Sequence, residues 1–151
     1  MDGIDRKAEG APVFRTPGGV AEWQAIHALR RLLFEPGETY DPAHPDDGRA
    51  DHHVRVLAAG GTVIGTLRID LTDPHWAAFR LVVVEPAKRN RGFGGAMLAA
   101  AEAFARAAGR QAVRLHAKPD AVQFYARHGY GPIDWAEPPR DPAGVNMGKI
   151  L

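Results

Sequence analysis

At 151 residues and 16.3 kDa the chain is long enough for one hydrophobic core and too short for two ordinary domains. Apolar residues make up 45% and charged residues 25%, as in a globular protein, and a net charge of +1 argues against nucleic acid as the main partner, because a phosphate backbone calls for a broad basic surface. Cysteine is absent, which removes disulfides, thiolate metal sites and a cysteine nucleophile together and fits a reducing compartment.

The opening MDGIDRKAEG carries charges where a signal peptide needs an apolar core. No uninterrupted apolar run approaches membrane-spanning length; AMLAAAEAFARAA is broken by Glu102 and Arg106. The expectation is a cytoplasmic protein with a polar leader over residues 1–10 and one domain over residues 11–151, with no membrane partner. PVFRT reads as a first strand. From Val20 to Phe34, Trp23, Ile26, Leu29 and Leu33 recur at helical spacing, and Pro36-Gly37 ends the run. Residues 35–51 are rich in Pro, Asp and Gly without a period, so they form a loop, and loops of that length usually bind something or lie over a site.

HHVRVLAA and TVIGTLRIDL then alternate on either side of Gly60-Gly61, a hairpin signal. DPHWA turns the chain into FRLVVV, a run that suits a strand buried on both faces. Next comes RNRGFGGAML, followed by a helix whose apolar face is Met97, Leu98, Ala101, Phe104, Ala105 and Ala108, with Gly109 as its stop. AVRLHA is a strand, PDAVQFYARHGY a short helix starting at Pro119-Asp120 and ending at Gly129, and VNMGKIL a closing strand. The order predicts one α/β domain with a mixed central sheet and helices on both faces.

The glycine segment invites three phosphate-binding templates. A Walker loop is excluded, because Gly94 is followed by Gly95-Ala96 and not by Lys and a hydroxyl residue. A dinucleotide fingerprint fits Gly92 and Gly94 but meets Met97 at its third glycine. The third template, Arg-x-x-Gly-x-Gly after a buried strand and opening a helix, is matched by Arg89, Gly92 and Gly94. Here the chain resembles the GNAT superfamily of N-acetyltransferases. VVVEPAKRNRGFGGAML is similar to that family's strand–loop–helix segment, and FYARHGY to its later Phe-Tyr segment, about 30 residues on as a β-α-β unit requires.

The resemblance implies a GNAT-like domain that moves an acetyl group from acetyl-CoA to a primary amine of a small molecule or peptide. With no cysteine to hold an acyl group, it does so by direct attack in a ternary complex. A non-catalytic acyl-CoA-binding module of the same fold is the alternative. The implied coenzyme contacts are Arg89, Asn90, Arg91, Gly92, Phe93, Gly94 and Gly95 on the loop, Val82, Val83 and Val84 on the strand, and Asp120 and Phe124 on the later helix. A helix N-terminus attracts a pyrophosphate, glycines let it approach, and arginines add charged hydrogen bonds.

Tyr125, at the family's tyrosine position, is the implied acid for the leaving thiolate; a phenol stays protonated at neutral pH and can donate. On the acceptor side an alkyl amine is neutral only on the order of one part in a thousand at pH 7, so a base is needed. Asp70, His116 and Glu85 are the candidates, or water linked to one of them. Asp70, Arg80 and His116 are the expected substrate contacts, with Arg80 able to orient an acidic substrate or to pair with Asp70. His52 and His53 lie near Asp46, Asp47 and Asp51 without a ligand spacing, and no metal is expected. Residues 28–58 with GTLRID are similar to the ElaA-like branch of the family, in which a His usually stands where this chain has Asn146. A monomer or a homodimer is expected.

Overall fold

Helical spacing and strand alternation both find the partners that their periods require. The computed structural model describes residues 10–151, and the expected leader lies, but for Gly10, outside them. In chain order the described residues form β1 (Val13–Arg15), α1 (Gly19–Arg31), β2 (His52–Ala59), β3 (Thr62–Asp70), β4 (Trp76–Val84), α2 (Phe93–Ala107), β5 (Ala112–Ala117), α3 (Val122–Arg127), β6 (Gly131–Pro132) and β7 (Val145–Ile150). One sheet runs β1-β2-β3-β4-β5-β7-β6, antiparallel except for the parallel β4–β5 pair. That single parallel join follows from the α2 crossover between the two strands.

Each face of the sheet is covered. On β2, Val54 and Val56 pack against Ile26 of α1, with Trp23 and Val63 alongside. The residues that alternate with them look the other way, as a period of two demands. Leu67, Ile69, Ala77, Phe79, Val113, Leu115 and Met147 meet Phe93, Met97, Leu98, Ala101 and Ala105 of α2 and Tyr125 of α3. Most of these are at or below 2% exposed, and each large one contributes roughly 1.5–3 kcal/mol by leaving water. α2 ends as its sequence asks: Gly109 stands at φ 81, its N–H reaches Arg106 O and the Arg110 N–H reaches Ala105 O.

Three departures from the sequence reading come from long-range pairing. β4 starts at Trp76, three residues before FRLVVV, because Trp76–Ala78 find Ala112–Arg114 on β5. The two-residue strand β6 exists only through its pairing with β7. The loop over residues 35–51 folds back on α1, where the buried Arg30 guanidinium grips Asp47 at 2.7 and 3.0 Å and also reaches Tyr40. Lys118, just beyond β5, donates to Leu33 O, and Arg140 does so at 3.4 Å, tying the start of that loop to the far side of the sheet.

Candidate active site

β4 does not stay beside β5. Its register on β3 runs Asp70↔Ala78, Ile69↔Phe79 and Arg68↔Arg80, then resumes at Thr66↔Val83 and Gly65↔Val84. Two steps along β3 are matched by three along β4. The extra residue makes a bulge at Leu81, whose φ is 53. A non-glycine residue in that region costs roughly 1–2 kcal/mol, which the surrounding sheet must sustain. β4 and β5 pair only over Trp76–Phe79 and Ala112–Leu115, after which His116 and Ala117 pair with β7. Residues 80–84 therefore border an open wedge. FRLVVV is not the evenly buried strand that its composition suggests: Phe79 and Val83 are buried, while Arg80, Leu81, Val82 and Val84 are half-buried.

The backbone along the wedge is polarised by this register. The Glu85 N–H donates to Ile64 O at 2.8 Å, which makes Gly65 and Val84 a non-hydrogen-bonded pair whose own groups face away from each other. Val84, and Val82 two residues earlier, thus turn their N–H and C=O toward the wedge. Val83 is turned the other way, onto Thr66 of β3, so its backbone is engaged there and not along the wedge. Arg89 bends back along the wedge and donates from Nε to Val84 O at 3.1 Å.

At the foot of the wedge the chain makes the turn that opens α2. Asn90 and Gly92 both have left-handed backbones, φ 61 and 82, and Gly92 is the N-cap. The first helical bond is Ala96 N–H to Gly92 O at 3.0 Å, Gly92 itself has no side chain to cap the end, and no acidic residue stands in the first turn. Gly94 and Gly95 therefore have no acceptor one turn back for their N–H groups, and the helix dipole points its positive end at the same place. Arg89, Asn90 and Arg91 sit on this turn. The Phe93 ring does not: it is 0% exposed in the core, so only its backbone belongs to the loop.

The glycines have a packing reason as well as the one the sequence suggests. A Cβ on Gly94 would stand 2.9 Å from Phe124 Cζ and 3.8 Å from Val84 Cγ2, and one on Gly95 would stand 2.7 Å from His128 Cε1. The first turn of α2, the end of β4 and helix α3 thus meet closely at one point. His128 was not singled out in the sequence; its spacing of four from Phe124 along one helix face was the available signal. Asp120 is exposed in the 3₁₀ turn Pro119–Ala121, and Ala121, the residue before α3, makes no side-chain cap bond.

Tyr125 and Tyr130 pack edge to face, ring centres 5.7 Å apart, yet differ chemically. Tyr130 donates to Glu102 at 2.8 Å, and Lys149 reaches the other oxygen of that buried carboxylate at 3.0 Å. The Tyr125 ring is 6% exposed, and its hydroxyl has no hydrogen-bond partner among the described residues. Arg30 Nε is the one fully enclosed and unsatisfied polar side-chain atom among them, so the Tyr125 oxygen retains a path to solvent. Burial pushes the Tyr125 phenol well above its ordinary range, which keeps it protonated.

The opposite, α1-side face of the wedge carries Asp70, Arg80 and His116, and they form one network. Asp70, 4% exposed, takes Arg68 at 2.7 and 3.0 Å, Arg80 Nε at 3.4 Å and His52 at 3.5 Å. Arg80 also grips Glu137 through both terminal nitrogens, and His116 Nε2 lies 2.5 Å from the same carboxylate. Glu137 is the residue that sequence reasoning missed, and it joins the other three. The Arg80 guanidinium, and less strongly His116, hold its carboxyl well below the usual range, at about 2. Around it Trp135 stacks on His116 at 4.5 Å and 11°, and Trp76 meets Trp135 edge-on at 5.3 Å. His53, by contrast, faces the α2 side against Phe104, so the adjacent His52 and His53 diverge to opposite faces.

A sheet split beside a glycine-rich helix start, with a buried tyrosine on one face and a charged network on the other, is the architecture of an α/β domain with a cleft between two strands. Residues 23–130 match the Acetyltransferase (GNAT) family, and the chain belongs to that family of enzymes. A Lactobacillus plantarum protein described as an N-acetyltransferase is 28% identical, superposes with a TM-score of 0.71, and covers 94% of this chain and 99% of its own. ElaA from Escherichia coli is 19% identical with a TM-score of 0.72, over 91% of this chain and 97% of its own. An aminoglycoside 6'-N-acetyltransferase solved with coenzyme A reaches a TM-score of 0.78 at 11% identity, over 91% and 96%. The latter two likenesses are of fold. No helix among the described residues is long and apolar enough to cross a membrane.

Proposed function

We propose that the chain transfers an acetyl group from acetyl-CoA to a primary amine by direct attack in a ternary complex. The observation that carries this is the wedge itself. It joins the α2 face, where the glycine-rich helix start and the outward backbone of Val82 and Val84 stand, to the α1 face, where Asp70, Arg80 and His116 stand. Donor and acceptor can then approach one carbonyl carbon from opposite faces without a covalent enzyme intermediate. Acetyl-CoA supplies a thioester whose carbon–sulfur bond breaks as the nitrogen–carbon bond forms.

The residues present fit that group. Arg89, Asn90, Arg91 and the N–H groups of Gly94 and Gly95 would hold the pyrophosphate, Val82 and Val84 would offer their backbone to the coenzyme's chain, and Phe124 would border it. Tyr125 gives its proton to the departing sulfur; Tyr130 is already committed to Glu102. The proton lost by the amine has three named destinations, and their partners separate them. Asp70 is neutralised by two arginines and His116 is held at both ring nitrogens, to Asn146 and Glu137. Glu85 follows Val83 by two and therefore lies on the acceptor face, with no side-chain bond among the described residues, so Glu85 or water beside it takes the proton.

Differential scanning calorimetry tests the reading. Acetyl-CoA at 100 times its dissociation constant stabilises the fold by ~2.7 kcal/mol, or roughly 5–10 °C in Tm at this size, while NAD and ATP do not. Equal stabilisation by NAD would sink the assignment. Coenzyme binding with no thiol release across an amine panel would instead mark a non-catalytic binding module.

A further inference from the structure

The partners of Glu137 identify what else the acceptor must carry. Its carboxylate is surrounded by three N–H groups, two from Arg80 and one from His116. Those donors sit on strands at the mouth of the wedge. Arg80 immediately precedes the Leu81 bulge, and His116 follows Leu115, the last β5 residue paired with β4. Glu137 itself comes from the irregular segment between β6 and β7, and its side chain is 44% exposed against 23% for Arg80 and 20% for His116. The carboxylate is thus the outer, solvent-facing member of the trio.

The donors do not depend on Glu137 for their placement. Arg80 keeps its bond to Asp70 at 3.4 Å and lies 5.3 Å over the Trp135 ring. Asn146 Nδ2 donates to Trp135 O and Glu137 O, at 3.2 and 3.0 Å, which turns its Oδ1 toward His116 Nδ1 at 2.6 Å. Nδ1 must therefore donate, and Nε2, facing a carboxylate, must donate as well. A carboxylate arriving in place of that of Glu137 meets the same three oriented groups beside the wedge. Within this network Arg68 offsets Asp70, so without Glu137 the Arg80 guanidinium loses its closest carboxylate, with Arg114 near, 4.3 Å over Trp76.

We propose that Arg80 and His116 form a carboxylate subsite, that Glu137 fills it in the resting chain, and that the acceptor is an amine bearing its own carboxylate, of the amino-acid class, which displaces Glu137. This rests on the acyl-transfer reading of the same wedge. The exchange replaces one carboxylate by another on the same donors, so the Arg80 guanidinium stays paired throughout. An acceptor recognised through a second cationic group is the opposite case, and it is disfavoured because both oxygens of Glu137 are already bonded to cations.

The test needs no turnover. N-acetyl derivatives of the common amino acids, and the matching carboxamides, are titrated into the full chain while tryptophan fluorescence reports Trp135 beside His116. Expected are saturable responses to one or more carboxylates, none to their carboxamides, and loss of response in Arg80→Gln. Glu137→Ala should bind the same carboxylate more tightly, by roughly tenfold if the resting contact is about nine-tenths occupied. Equal responses to acid and amide, no response to any member, or weaker binding in Glu137→Ala would overturn the proposal. Carboxylate selectivity in a chain that fails to bind acetyl-CoA would uphold the subsite and reject acyl transfer.

Discussion

Replacing Gly94 by alanine adds one methyl group at a point where the structure sets two effects against each other. Gly94 lies in the first turn of α2 with an ordinary helical backbone, so alanine fits its torsions and gains up to about 1 kcal/mol of helix propensity. The new Cβ, however, would stand 2.9 Å from Phe124 Cζ and 3.1 Å from Cε1, closer than carbon atoms approach without displacement. Overpacking of this kind costs typically 1–3 kcal/mol. The net expectation is a loss of roughly 1–2 kcal/mol, or about 2–8 °C in Tm, before any ligand is added. Phe124→Leu removes the opposing ring atoms, so the Gly94→Ala penalty should shrink or reverse in that background. A double-mutant cycle by thermal denaturation measures this coupling, expected at about 1 kcal/mol or more. A rise in Tm for Gly94→Ala alone, or strict additivity with Phe124→Leu, would refute the packing argument and leave ligand approach as the sole reason for the glycine.

Tyr125→Phe keeps the ring in the core and should leave acetyl-CoA affinity nearly intact, while kcat and kcat/KM fall together by roughly 10²-fold or more in a thiol-release assay. Wild-type turnover in that variant would remove the hydroxyl from the mechanism. Glu137 ionises at about 2 where an ordinary glutamate does so at 4.5, so its contact with Arg80 stabilises the fold fully above pH 4.5 and loses that contribution as pH falls from 4.5 toward 2. The Tm difference between wild type and Glu137→Gln should close as pH falls across that window; a difference that persists at the acid end would show that the charge is not its source.

Much of this molecule is written in short-range patterns. The spacing of Trp23, Ile26 and Leu29 marks α1, the alternation about Gly60-Gly61 marks a hairpin, and the order Arg89, Gly92, Gly94 followed by Phe124-Tyr125 marks the family. Such features are legible because local sterics and a two- or 3.6-residue period act on neighbours in the chain. Tertiary structure decided what those residues face. The bulge at Leu81 turns Val82 and Val84 toward the wedge and Val83 away from it, a result of strand register that no composition of valines encodes. Phe93 went to the core and Asp120 to solvent by the same kind of accounting. Asp70, Arg80 and His116 are recognisable singly as charged residues on strands, but Glu137, 57 residues from Arg80 and 21 from His116, joins them only because β4 and β5 part at that point and an irregular segment crosses the gap. Ion pairs between distant residues depend on where separate strands end, and that is settled by packing of the whole sheet against its two helical layers.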